Sequence, residues 1–242
     1  MSHEAKFLQA VWHSAGIVLL WCIGINMLLA SGFSAGWWWL FAAASAGWLI
    51  VNVRRPFIKA SAIVRSWISL VAVTVLGGLA GQYISPALLL GIGVGLSTAD
   101  ILSFTKRGAW TSNAKAMANP ELLPKLIVYG VSWKDRAPVP TKELGDFAFY
   151  SLMVSVLFYH FDASSAVAGS GFIYLGCAAT WLIISFLYRK PDYKGHPATY
   201  LPFGLVAIYL FCYYPHRADR LLSQGNRHTL RTCPLSPAYG IG

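Results

Sequence analysis

The chain has 242 residues, of which 56% are hydrophobic and only 12% charged, and its mean hydropathy is +0.54. Soluble domains carry about 25% charged residues, so this composition excludes an ordinary cytosolic enzyme, a disordered protein and a secreted disulfide scaffold. The 19 Lys and Arg against nine Asp and Glu give a net charge of +10, which in so apolar a chain reads as basic loops at a membrane face rather than nucleic-acid binding.

A helix that crosses a bilayer needs about 20 mostly apolar residues. Seven runs qualify, at 9–31, 34–53, 60–80, 85–105, 144–162, 166–188 and 199–215. They predict an all-α membrane protein, a polytopic bundle of about seven transmembrane helices. The start MSHEAKF has one Lys and leads into a run long enough to span, so no cleavable signal peptide is read there. Arg65 stands near the start of the third run, where a long side chain snorkels to the interface. The links near residues 32, 82 and 164 hold no Lys or Arg, whereas those at 51–59, 106–143 and 188–196 are basic. That alternation predicts a multi-pass protein with a cytoplasmic N-terminus. It also puts the tail outside, in tension with Arg217, Arg220, Arg227 and Arg231. The expected portions are a three-helix part at 1–84, a part at 85–215 that includes the loop 106–143, and a polar basic tail at 216–242.

Cys22, Cys177 and Cys212 lie in apolar runs and Cys233 in the tail; no two form a CxxC pair, so they read as small membrane-core residues. The six His show no HExxH spacing, which disfavours a zinc protease, and neither a metal nor a cofactor is expected.

The nine acids divide unevenly. Glu4, Glu121, Asp135, Glu143, Asp192 and Asp219 have polar surroundings, and Asp162 ends an apolar run, where it is expected to cap the outer end of the fifth span. Asp100 and Asp146 lie inside apolar runs, where an ionised carboxylate is expensive and marks function. Asp100 is six residues before Lys106, and Asp146 is four residues after Lys142. At about 1.5 Å per residue, both stand about 6–9 Å inside the same boundary. Their spans are consecutive and antiparallel, so the carboxylates can meet. Two carboxyls held close in a low dielectric share one proton. Such a pair can activate a water against a peptide carbonyl with no metal or side-chain nucleophile; the other use for two such acids is proton or ion relay in a transporter or channel. Gly145 lets backbone approach Asp146 closely. Gly91, Gly93 and Gly95 read as small residues for tight helix packing, and Phe147, Phe149 and Tyr150 as aromatic packing. LIVYGVSW at 126–133, bounded by Pro124 and Pro138, reads as a short strand or a membrane-skimming loop.

The segment LGDFAFYSLMVSV resembles the second catalytic span of the presenilin and signal-peptide-peptidase family of GxGD intramembrane aspartyl proteases, in particular its prokaryotic presenilin homologues. ADILSFTKRGAWTSNAKAMANPELLPKLIVYG resembles the first catalytic span, its exit and the following loop. HPATYLPFGLVAIYL stands where the family has a Pro-Ala-Leu motif. The departures are Ala99 for the usual Tyr, Glu143 for the first Gly of GxGD, and Thr199 for the Leu if Pro197-Ala198 is the counterpart; Pro202 is a second candidate. The family usually has nine spans.

The resemblance implies an aspartic endopeptidase with Asp100 and Asp146 catalytic, and Gly145, Pro197, Ala198, Thr199, Leu201 and Pro202 contacting substrate. It implies single-span transmembrane substrates in the bilayer, unwound and added as a strand to a small sheet in the 106–143 loop. A prokaryotic plasma or inner membrane is the expected location, and a homo-oligomer is compatible with it. Three other readings stay open: a prepilin-peptidase-like GxGD protease, a transporter or channel, and a relative that binds helices without cutting them.

Overall fold

The computed structural model describes residues 3–105, 108–134, 136–187 and 197–213. The tail 216–242, the basic link 188–196, Lys106, Arg107, Asp135 and Cys233 lie outside them. The chain is mostly helical, with α1 at His3–Ala30, α2 at Ala35–Arg54, α3 at Ala62–Gly81 and α4 at Pro86–Ser103. A short α5, Ser112–Ala118, leads to a hairpin of β1, Ile127–Val131, and β2, Pro138–Glu143. Then come α6 at Leu144–His160, α7 at Ala163–Leu187 and α8 at Tyr200–Tyr213. The residues Met1–Val206 form one compact unit. Within 207–213, the Tyr209 and Tyr213 rings stack at 5.3 Å.

Five described helices, not seven, are long and apolar enough to cross a membrane: α1, α2, α3, α4 and α7. Side chains such as Met27, Val71, Val94 and Leu182 face outward, as lipid-facing surface requires. The predicted fifth and seventh spans are shorter helices. Glu143 is still paired with Ile127 in the hairpin, so α6 cannot begin before Leu144. Phe161 leaves helical geometry with φ −125° and ψ −86°. The 17 residues between reach about 25 Å. Residues 197–199 are not helical, and α8 begins only at Tyr200.

Local signals set the ends. Ser85 Oγ accepts from Leu88 N ahead of Pro86, and Thr111 Oγ1 accepts from Ala114 N to start α5. Asp162 Oδ1 accepts from Ser165 N at 2.7 Å and from Ser164 Oγ. Asp162 is therefore the N-cap of α7, and its backbone N–H also donates to Leu157 O at 3.3 Å, closing the end of α6 as expected. Gly32, with φ +66°, turns the chain out of α1.

The centre of the unit is a close seam between α3 and α6, which run parallel. Gly77 and Gly81 occupy one face of α3, four residues apart. A Cβ on Gly77 would lie 2.6 Å from Ser151 Cβ and 2.7 Å from Ala148 O, and one on Gly81 would overlap Ser155 Cβ. Small residues on both helices let the backbones touch. Trp21 of α1 closes the seam, donating to Thr74 Oγ1 at 3.1 Å and packing on Phe147 and Tyr150.

The fold is not purely helical. The predicted strand is present as β1, antiparallel to β2, with a bulge opposite the step from Val128 to Tyr129 where Thr141 is the extra residue. The outer edge of β1 is occupied: Tyr129 N donates to Ser66 Oγ and its carbonyl accepts from Trp67 Nε1, both on α3. Tyr129 faces Pro140 across the hairpin, so Pro140 likewise turns its backbone away from β1, toward the outer edge of β2.

Candidate functional site

Asp100 lies in the last turn of α4, whose buried stripe is Leu89, Gly93 and Ser97. Gly93 is the contact point for the chain after α7, because a Cβ there would overlap the Phe203 ring. This close approach lays residues 197–199 over Asp100. Ala198 N and Thr199 N donate to Asp100 Oδ2 at 3.0 and 3.2 Å. The hydroxyl of Thr199, itself buried, donates to the same oxygen. One carboxylate oxygen thus collects three donors.

Asp146 is the third residue of α6. Its Oδ2 is 3.1 Å from Lys142 Nζ, and the two side chains are 12% and 6% exposed. The last strand residues carry alternate side chains to opposite faces. Lys142 enters the bundle, with Nζ 5.2 Å from the centroid of the Tyr150 ring. Tyr150 Oη accepts from Cys177 Sγ at 3.6 Å and donates to the carbonyl of Ala198 at 3.3 Å. A chain of polar contacts therefore runs from Lys142 and Asp146, past Tyr150, to the segment that holds Asp100.

The two carboxylates open onto one cavity of about 730 Å³, which Glu143, Gly145 and Thr199 also line. Leu96, Trp110 and Phe149 add apolar wall. Burial pushes the Glu143 carboxyl up to about 7, with the charges of Asp146 and Asp100 adding and that of Lys142 opposing. Burial works against the charge on Lys142, yet Asp146, with Cys177 and Glu143, more than offsets it, so the ammonium titrates above its ordinary range. Two carboxyls and a third titrating near neutrality can hold and pass protons to a guest in this cavity.

Of the residues singled out in the sequence, Asp100, Asp146, Gly145 and Thr199 line the cavity, and Ala198 touches Asp100 through its backbone. Gly145 faces open space rather than backbone, so its missing side chain keeps the wall clear. Pro197 opens the segment and is half-buried. Leu201 and Pro202 are not among the cavity's lining residues; their backbone packs on Gly176 of α7. The Pro197–Thr199 candidate thus meets an Asp, and Pro202 does not.

Two features go beyond the sequence reading: Lys142 is a buried partner of Asp146 rather than a loop charge, and Tyr150 joins the polar contacts rather than packing alone; Thr199, expected to contact substrate, also donates to Asp100. Only Lys142 carried a signal, its four-residue spacing from Asp146. Among the described residues, no group of three or more His, Cys, Asp or Glu is placed to hold a metal ion. Neither a family model nor a curated protein matches the chain.

Proposed function

We propose that the protein is an intramembrane aspartyl endopeptidase that hydrolyses peptide bonds of transmembrane segments with Asp100 and Asp146. The observation that carries the reading is that the two carboxylates, from α4 and α6, line one cavity at the end of both helices. The ionised carboxyl takes a proton from water as its oxygen attacks the peptide carbonyl carbon. The protonated carboxyl gives its proton to the carbonyl oxygen, forming a gem-diol. Collapse of that diol breaks the C–N bond, and a proton passes to the leaving amine, so one water is added across the bond.

The hairpin supports the same reading. A helical carbonyl is hydrogen-bonded, so a substrate helix must unwind, and an added strand holds it extended. With the edge of β1 tied to α3, the outer edge of β2 is the one left for it. Substrates are single-span peptides or proteins in a prokaryotic plasma or inner membrane.

A carrier using the same acids is the second reading, and the direct Asp146–Lys142 pair favours it, since exchange of such partners moves protons. The test is cleavage of a labelled single-span substrate by detergent-purified protein. Wild type should cut, and Asp100→Ala and Asp146→Ala should each lose essentially all activity. Cleavage surviving in either variant refutes the dyad. No cleavage, with ion flux that depends on both acids, favours the carrier.

A further inference from the structure

We propose that the link from α2 to α3, together with the segment that leads into β1, is a seat for the headgroup of an anionic phospholipid, held by Arg54, Arg55, Lys59, Arg65 and Lys125. α2 ends at Arg54, and the apolar helical run that contains α3 begins at Lys59, so the link turns at the end of two apolar helices. Two cations fold back onto this turn. Arg65, in the first turn of α3, donates from Nη1 to Pro56 O at 2.9 Å, and Lys125 donates from Nζ to Val53 O at 2.8 Å. The end of a helix favours cations. Each spends one donor there, of the five on a guanidinium and the three on an ammonium. Both line one small cleft with Phe57 and Ser66. Arg54, Arg55 and Lys59 stand exposed on the same turn.

No carboxylate offsets this charge. Residues 51–68 and 122–127 contain neither Asp nor Glu. Among the described residues, none of the five cations is in an ion pair; Glu121, the nearest acid in the chain to Lys125, is exposed and does not pair with it.

Apolar surface continues directly from the charges. Phe57 and Ile58 are exposed within the basic link, and Val64, Ile68 and Val71 form an exposed line down α3 from the turn that carries Arg65. Positive charge above exposed apolar surface at the end of a span matches a phosphate ester that carries acyl chains. A soluble phosphate would leave the apolar line uncovered. The cleft holds about 10 Å³, room for one water at most, so the phosphate rests over its mouth while the acyl chains lie along α3. The seat also touches the hairpin. Ile127 of β1 shares the cleft, and the Phe57 ring is 6.1 Å from that of Tyr129. A headgroup held there braces the start of β1 from outside.

The test is native mass spectrometry of the full chain in detergent with equal phosphatidylglycerol and phosphatidylcholine. Wild type should retain phosphatidylglycerol in clear preference. Each basic residue near an anionic headgroup is worth about fivefold, so Arg54→Gln/Arg55→Gln/Lys59→Gln should lose that retention by about tenfold or more. These three side chains cap no carbonyl in the structure, so the variant should fold. The charge-matched variant Lys115→Gln/Lys134→Gln/Arg136→Gln should retain the lipid like wild type. Unchanged retention in the first variant, or equal loss in the second, overturns the proposal. Glycerol 3-phosphate at millimolar concentration should not displace the lipid; displacement would make the site one for soluble phosphate esters and overturn the lipid assignment.

A second measurement needs no variant. In nanodiscs of phosphatidylglycerol, amide hydrogen exchange over residues 55–61 should be several-fold slower than in nanodiscs of phosphatidylcholine, with residues 132–137 unchanged. Equal exchange over 55–61 overturns the seat. Both measurements are read without peptide cleavage, so the seat stands or falls apart from the protease.

Discussion

Replacing Glu143 by glutamine should stabilise the protein above neutral pH and change little below pH 4.5. Glu143 ends β2, lines the cavity beside Asp100 and Asp146, and titrates at about 7 instead of 4.5. In the unfolded chain the carboxyl ionises near its ordinary value. Between the two values the folded state therefore binds more protons than the unfolded one, and stability falls as pH rises. The shift corresponds to about 3 kcal/mol against the folded state once Glu143 is ionised. The side chain is half-buried and opens on the cavity, so solvent screening trims this to about 2 kcal/mol. Glutamine keeps the shape and does not ionise. Thermal unfolding in detergent at several pH values from 4 to 9 measures the difference. The variant and wild type should coincide at the acid end and separate through pH 4.5–7, reaching a gap of about 4–8 °C in Tm above pH 7. A gap that is constant with pH, or that has wild type the more stable at pH 8, refutes the electrostatic account of this corner.

Other expected outcomes follow from the same geometry. Gly81→Ala puts a methyl into Ser155 and should cost about 1–3 kcal/mol, read as a lower Tm; unchanged stability would mean α3 and α6 are not in backbone contact. Thr199→Val keeps the volume but loses the hydroxyl on Asp100 Oδ2, so cleavage should fall about 10- to 100-fold, with Thr199→Ser close to wild type. Equal activity of the valine variant would show that the hydroxyl has no role.

The sequence discloses the long helices because lipid demands an unbroken apolar run, and a run can be measured. Helix ends are another matter. Residues 144–162 read as a span, but Glu143 is committed to a strand and Asp162 to capping α7, and neither commitment is written in hydropathy. β1 was readable from its β-branched and aromatic residues. β2 was not, since Pro138, Pro140, Lys142 and Glu143 are poor strand formers and pair only because β1 is there. Gly91, Gly93 and Gly95 read as small residues for tight packing, but alternate helix positions point in different directions, and among the described residues a Cβ would meet a neighbour only at Gly93 of the three. Asp100 and Asp146 could be found because charge is rare in apolar runs. Lys142 offered only its four-residue spacing from Asp146, because a Lys beside a predicted loop otherwise looks solvated.

The glycine seam has a mechanical consequence. Where two backbones touch through Gly77 and Gly81, no side chain is available to rotate and let the helices part. α3 and α6 therefore behave as one stiff girder, and Asp146 is bolted to it. α4 is held by a narrow line of Leu89, Gly93 and Ser97, with most of its remaining surface turned outward. The cavity thus has a stationary jaw and a compliant one, and any widening to admit a bulky guest falls on the jaw that carries Asp100.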